Sequence, residues 1–144
     1  MPKGATFDND ILKLLFNATA ISLIADNTGT TPLTFLYVAL HTANPGGAGS
    51  QTTSEAAYTS YARVAVARTT GGWSAASGGS TSPVASITFP AATGGNETET
   101  YASIGSLTTG GAGKIFYYGA ITPNIAVVNG VTPSLTTAST ITEA

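Results

Sequence analysis

No cysteine occurs anywhere in the chain, and charge is nearly as scarce. Without cysteine there is no disulfide framework, no thiolate nucleophile and no Cys-ligated zinc or iron–sulfur centre. A single histidine excludes a multi-histidine metal site as well. The 144 residues carry five Lys plus Arg against seven Asp plus Glu, a net charge of −2. So weak a balance leaves no electrostatic footprint for nucleic acid. Charged residues make up 8% of the chain, whereas a soluble globular domain usually holds roughly 25%. Long apolar runs are missing too. The most apolar segment, Ile11 to Ile24, is interrupted by Lys13, Asn17, Thr19 and Ser22. It is too short and too mixed for a bilayer span or the core of a signal peptide. No lipidation is expected either, since Gly4 is not at position 2 and the terminal ITEA has no cysteine.

What stands in place of charge is small or hydroxylated: Gly, Ala, Ser and Thr supply 78 of the 144 residues. Such a surface is expected to be covered by Ser and Thr hydroxyls and by contact with other protein. The length fits a single domain with a core of modest volume. Within it, residues 1–7 read as an N-terminal arm, 8–26 as a helix and 33–144 as a β-rich domain.

The helical pattern is confined to 8–26. Ile11, Leu14 or Leu15, Ala18, Ile21 and Ala25 recur at three and four, and Leu12, Phe16 and Leu23 widen the stripe. Thr6 or Asp8 can cap the first turn, and Asn27-Thr-Gly-Thr-Thr-Pro is expected to stop the helix. An arc this broad either packs across an open sheet or meets a neighbouring subunit, with Ile11, Leu15 and Phe16 as the contact residues.

From Leu33 the periodicity becomes that of strands. LTFLYVALHT is nearly continuous in large apolar residues and reads as a central strand. Residues 43–54 hold a run of breakers and read as a long loop, mobile or ordered by a partner. Tyr61 to Arg68 alternates, with Tyr61, Arg63, Ala65 and Ala67 on one face and Ala62, Val64, Val66 and Arg68 on the other. Further strands are expected at Val84–Phe89, Glu97–Leu107, Lys114–Ile121 and Ile125–Val128. Asn129-Gly130 is a two-residue hairpin signal. Seven or eight short strands without interleaved helices favour an all-β fold, an antiparallel β-sandwich or a jelly-roll-like barrel, behind one N-terminal α-helix.

No constellation of nucleophile, base and orienting group appears, so no catalytic residue, cofactor or metal ligand is assigned. His41 reads as a hydrogen-bonded strand-end histidine. Asp8, Asp10 and Asp26 read as helix-end acids and form no calcium loop. Glu97 and Glu99 share a strand face; a glycosidase pair is the sharper reading and a solvated sheet face the plainer one. Arg63 and Arg68 divide between carboxylate recognition across an interface and intrachain bridges to Glu55, Glu97 or Glu99. Trp73, Tyr58 and Tyr61 divide between a contact surface, for sugar or for a partner's pocket, and a Trp folded onto a sheet edge.

The stretches LYVALHTANPGG (36–47), YTSYARVAVARTTGGW (58–73), ASITFPAAT (85–93) and IFYYGAITPNIAVVNGVTPSL (115–135) follow one another in this order. Together they resemble a family of small tailed-phage and prophage proteins of the tail-fibre-like kind. The resemblance implies a β-rich virion module without enzyme activity. In size and style the chain is also similar to capsid decoration, or cement, proteins. With neither shaft repeats nor heptads in view, the expectation is a decoration protein made in the host cytoplasm and carried on the capsid surface. Its partner would be the major capsid protein, and it would form a homo-oligomer, such as a trimer, with no nucleic acid and no membrane involved. The alternative is a tail-fibre or tail-associated receptor-binding module, with glycan binding through Trp73 and its neighbouring tyrosines.

Overall fold

A computed structural model describes residues 5–20 and 32–143. In chain order it has a helix, α1 (Ala5–Phe16), and eight strands: β1 (Phe35–His41), β2 (Val64–Ala67), β3 (Ser80–Thr81), β4 (Ile87–Thr88), β5 (Asn96–Gly105), β6 (Ile115–Val128), β7 (Ser134–Leu135) and β8 (Ile141–Thr142). The fold is thus mainly β, mostly antiparallel, behind one N-terminal helix. Four strands form a sheet in the order β2-β1-β5-β6, while β3 pairs with β8 and β4 with β7. These sheets are open, and no barrel closure is seen among the described residues.

The apolar run of β1 earns its central place. Leu36, Val38, Ala39, Leu40 and His41 are all buried, as a strand covered on both faces requires. β1 runs antiparallel to β5, from Tyr37 opposite Gly105 to His41 opposite Tyr101. On its other edge β5 pairs with β6, from Asn96 opposite Val128 to Gly105 opposite Ile115, with a register shift between Glu99 and Tyr101. That irregularity lets β6 run as one 14-residue strand where the sequence led us to expect two pieces around Pro123. β6 ends the sheet, and only Val127 of its residues is buried.

Three expectations change. The helix starts at Ala5 and ends at Phe16, so Asn17–Ala20 of the expected 8–26 helix are not helical; the rest of that segment, with Asp26, lies outside the described residues. The cause of the early stop is tertiary, as shown below. Asn129-Gly130 does form a turn, closed by Val131 N–H to Val128 O at 3.0 Å, with Gly130 at φ +88°. The chain leaving it turns away from β6, however. Ala92 N–H reaches Val131 O and Gly130 N–H reaches Ala92 O, at 2.8 and 2.7 Å. Finally, the 43–54 loop is tied down from within. Gln51 is fully buried; its Nε2 donates to Tyr37 O at 2.9 Å and its Oε1 accepts Leu107 N–H at 3.1 Å. Gly105 must be glycine here, because a Cβ would run into the Gln51 amide and Lys114 O.

By contacts the chain divides into two compact units. One comprises the described residues of Met1–Phe35 with Val66–Ile87 and Leu135–Ala144; the other comprises Leu36–Ala65 and Thr88–Ser134. The first is centred on α1 and Trp73, the second on β1, β5 and β6.

Candidate functional site

In the first unit, Arg68 explains the end of α1. The last carbonyls of a helix lack partners within it, and Arg68 supplies donors: Nε binds Leu15 O at 2.5 Å, Nη2 binds Leu14 O, and Nη1 binds Leu33 O at 3.1 Å. A guanidinium at this end also opposes the helix dipole favourably. Ala18 then takes the left-handed conformation, φ +52°, and Asn17 and Thr19 N–H groups return to Lys13 O at 3.0 Å each. Phe16 and Trp73 meet edge to face with ring centroids 4.7 Å apart, and both are fully buried. The indole N–H of Trp73 is enclosed without an acceptor among the described residues. Of the helix residues singled out for contact, Phe16 faces inward, and Ile11 and Leu15 are partly exposed.

In the second unit, Arg63 uses every donor it has. Nε and Nη2 bind Glu55 Oε1 and Oε2 at 2.6 and 2.8 Å, a bidentate pair. Nη1 reaches Leu107 O and Thr108 O at 2.8 and 3.0 Å, and Nη2 also reaches Gly111 O at 2.9 Å. A guanidinium has five N–H groups, so none remains for an external carboxylate. The intrachain bridge to Glu55 is therefore the correct reading of this residue. Tyr61 completes the cluster: its hydroxyl donates to Glu55 Oε1 and accepts Leu40 N–H, both at 3.1 Å. Tyr58 lies 5.3 Å from Tyr61 by ring centroids and donates to Pro90 O at 3.0 Å. With Tyr58 and Trp73 enclosed, these rings have no free face on which a sugar could stack.

His41 sits at the end of β1 with no exposed surface. Its Nδ1 lies 2.8 Å from Thr53 O, which can only accept, so Nδ1 carries the proton. Nε2 therefore accepts from Ser103 Oγ at 2.8 Å. That is the tautomer of a Ser–His dyad, yet both side chains are enclosed, and no substrate can reach them. Burial, the largest influence, lowers the His41 pKa and keeps the ring neutral.

The Glu97–Glu99 face is not solvated. Glu99 has no exposed surface, and Ser103 and Gly105 on the same face are buried as well. Alternation placed these residues together correctly; which face is inward is decided by what packs there. A glycosidase pair needs both carboxyls open to a glycosidic bond, and Glu99 is closed to any substrate. Among the described residues no group of three or more acidic, His or Cys side chains is placed to hold a metal.

The exposed apolar residues are others: Leu33, Phe35 and Val84 in the first unit, and Leu107, Tyr118 and Val128 in the second. The signal for the β6 members was in the sequence, since Ile115 to Val128 carries no charge, but only the sheet order exposes that strand.

Residues 5–142 match the family described as Podophage GP4 fiber I protein gp80. The chain belongs to this family. No curated protein matches the sequence. As a gp80 fiber-family member the chain is a phage virion structural protein, with a structural rather than enzymatic role. It associates with other proteins of the particle.

Proposed function

We propose that this gp80-family chain is a tail-associated fibre module, held on the particle by contacts with other virion proteins and with further copies of itself. The observation that carries the reading is the fiber-family match over residues 5–142. The surface supports it. β6 closes one end of the main sheet, is uncharged over 14 residues, and exposes Tyr118 and Val128. Such an edge is one that a solitary protein usually blunts with charge. Covering it with another chain removes apolar surface from water and extends the sheet beyond β6. In a closed homo-oligomer such as a trimer, weak contacts of this kind are multiplied.

Capsid decoration draws on the small size and low charge, features a fibre module shares, and the family match favours the fibre. Receptor contact, if part of the role, falls to exposed residues and not to Trp73. Cryo-microscopy of particles labelled on this chain tests the reading: density on the tail or neck supports it. Density confined to the shell overturns it and restores decoration of the major capsid protein. The paired substitutions Tyr118→Asp and Val128→Lys should leave a folded chain, because both sites are exposed, yet abolish its incorporation. Normal incorporation would remove β6 from the attachment.

A further inference from the structure

On β5, Glu97 and Glu99 are two residues apart and share a strand face. Glu97 reaches the segment that precedes β2: its Oε1 accepts the N–H groups of Ala57 and Tyr58 at 2.9 and 2.8 Å. Glu99 has no such donors. It is wholly buried, and neither carboxyl oxygen meets a hydrogen-bond donor among the described residues. An ionised carboxylate in that position would be an uncompensated buried charge, which proteins avoid by changing protonation. Glu97, on its own strand, is the ionisable group that acts on Glu99. Tyr58, on the facing segment, feels both carboxyls. On β6 the register partner of Glu99 is the apolar Ile125. On β1 the nearest titratable group of this face is His41, opposite Tyr101 and held neutral between Thr53 O and Ser103 Oγ. None of these brings a positive charge, so a proton is the available counter-charge.

We propose that Glu99 is a carboxylic acid donating its proton to Glu97, and that the pair is an alkali-released latch on the Ala57–Tyr58 segment. One proton shared between adjacent carboxyls removes their repulsion. It also leaves Glu97 in place to receive the two loop N–H groups. Loss of that proton to solvent sets two like charges side by side, one of them fully enclosed. The strain falls on Glu97, and through it on Ala57 and Tyr58. Tyr58 is nearly buried and anchored to Pro90 O, so release of the segment unseats an aromatic ring.

Burial foremost, then the hydrogen bond and charge of Glu97, raises the Glu99 pKa from 4.5 to about 8. A raised pKa means the folded chain holds a proton that the unfolded chain has lost. The stability contributed by Glu99 is therefore complete below pH 4.5 and lost as pH rises to about 8.

Glu99→Gln is the decisive variant, because its amide stays neutral and still donates to Glu97. Urea unfolding of the full chain, wild type and variant at matched pH, isolates the Glu99 contribution. The wild-type to variant ratio of folding constants should fall about tenfold per pH unit across this window. Hydrogen-exchange protection at Ala57 and Tyr58 should fall as pH passes about 8, in the wild type alone. Parallel profiles for the two proteins would overturn the latch. So would a loss of wild-type stability on adding a chelator, which would make the counter-charge a metal ion. Should the variant not fold, infrared spectroscopy of the wild type decides: a protonated-carboxyl band at neutral pH that vanishes in alkali supports the latch, and its absence at neutral pH refutes it.

Discussion

Arg63 shows how much structure one side chain can hold. Its five donors serve both oxygens of Glu55 and the carbonyls of Leu107, Thr108 and Gly111. The Tyr61 hydroxyl shares the same carboxylate. Removing one partner of a buried, hydrogen-bonded charge pair costs about 3–5 kcal/mol, and Arg63→Ala should destabilise the chain by that order in urea unfolding. Arg63→Lys should recover only part of the loss, because an ammonium has three donors and no planar fork. A lysine variant as stable as wild type would show the carbonyl contacts to be dispensable. The sequence left Arg63 equally open to an interface and to an internal bridge. Only the convergence of three carbonyls from 107–111 settles the matter, and those residues lie more than forty positions away.

At the scale of elements, α1 is the clearest case of tertiary context overriding pattern. The apolar periodicity runs on beyond Phe16, but Arg68 takes the carbonyls of Leu14 and Leu15 that continued helix would have used. The chain then turns through Ala18 at φ +52°. A left-handed residue at a helix end is ordinarily glycine, since any Cβ is strained there. Ala18→Gly should therefore raise stability, by about 0.5–1 kcal/mol at most, read as a higher urea midpoint. An unchanged or lower midpoint would mean that the Ala18 methyl makes contacts worth more than the strain. The strands were easier to read. β1 lies within its expected segment and β5 begins one residue before its own, because alternation and continuous apolar runs report local burial. β6 was harder: its length depends on the irregular pairing with β5 near Glu99, which no local pattern carries.

For the molecule as a whole, the scarce charges are partly spent inside. Arg63, Arg68 and Glu99 are buried, so the surface is poorer still in charge than the composition indicates. Stability should then depend on pH through two enclosed groups of opposite sense. The lowered pKa of His41 means that the unfolded chain binds its proton more readily. That contribution is complete above about pH 6.5 and is lost as pH falls below it. Glu99 acts in reverse, weakening the fold as pH rises to about 8. Urea midpoints should fall between about pH 6.5, where the His41 contribution is complete, and about pH 8, where the Glu99 contribution is spent. In Glu99→Gln this fall should vanish and the loss below about pH 6.5 remain. Persistence of the fall between about pH 6.5 and 8 in that variant would assign it to another group.

The sequence by itself determined the mainly β class, an N-terminal helix and the central strand at Phe35–His41. These follow from periodicity and residue type, which act over a few positions. Tertiary structure alone decided where the helix stops, which face of β5 is inward, that the 43–54 loop is held by Gln51, and that Trp73, Tyr58 and both arginines serve the interior. The physical reason is the same in each case. Satisfying a buried donor, acceptor or charge requires a partner brought from far along the chain, and local sequence does not encode which partner arrives.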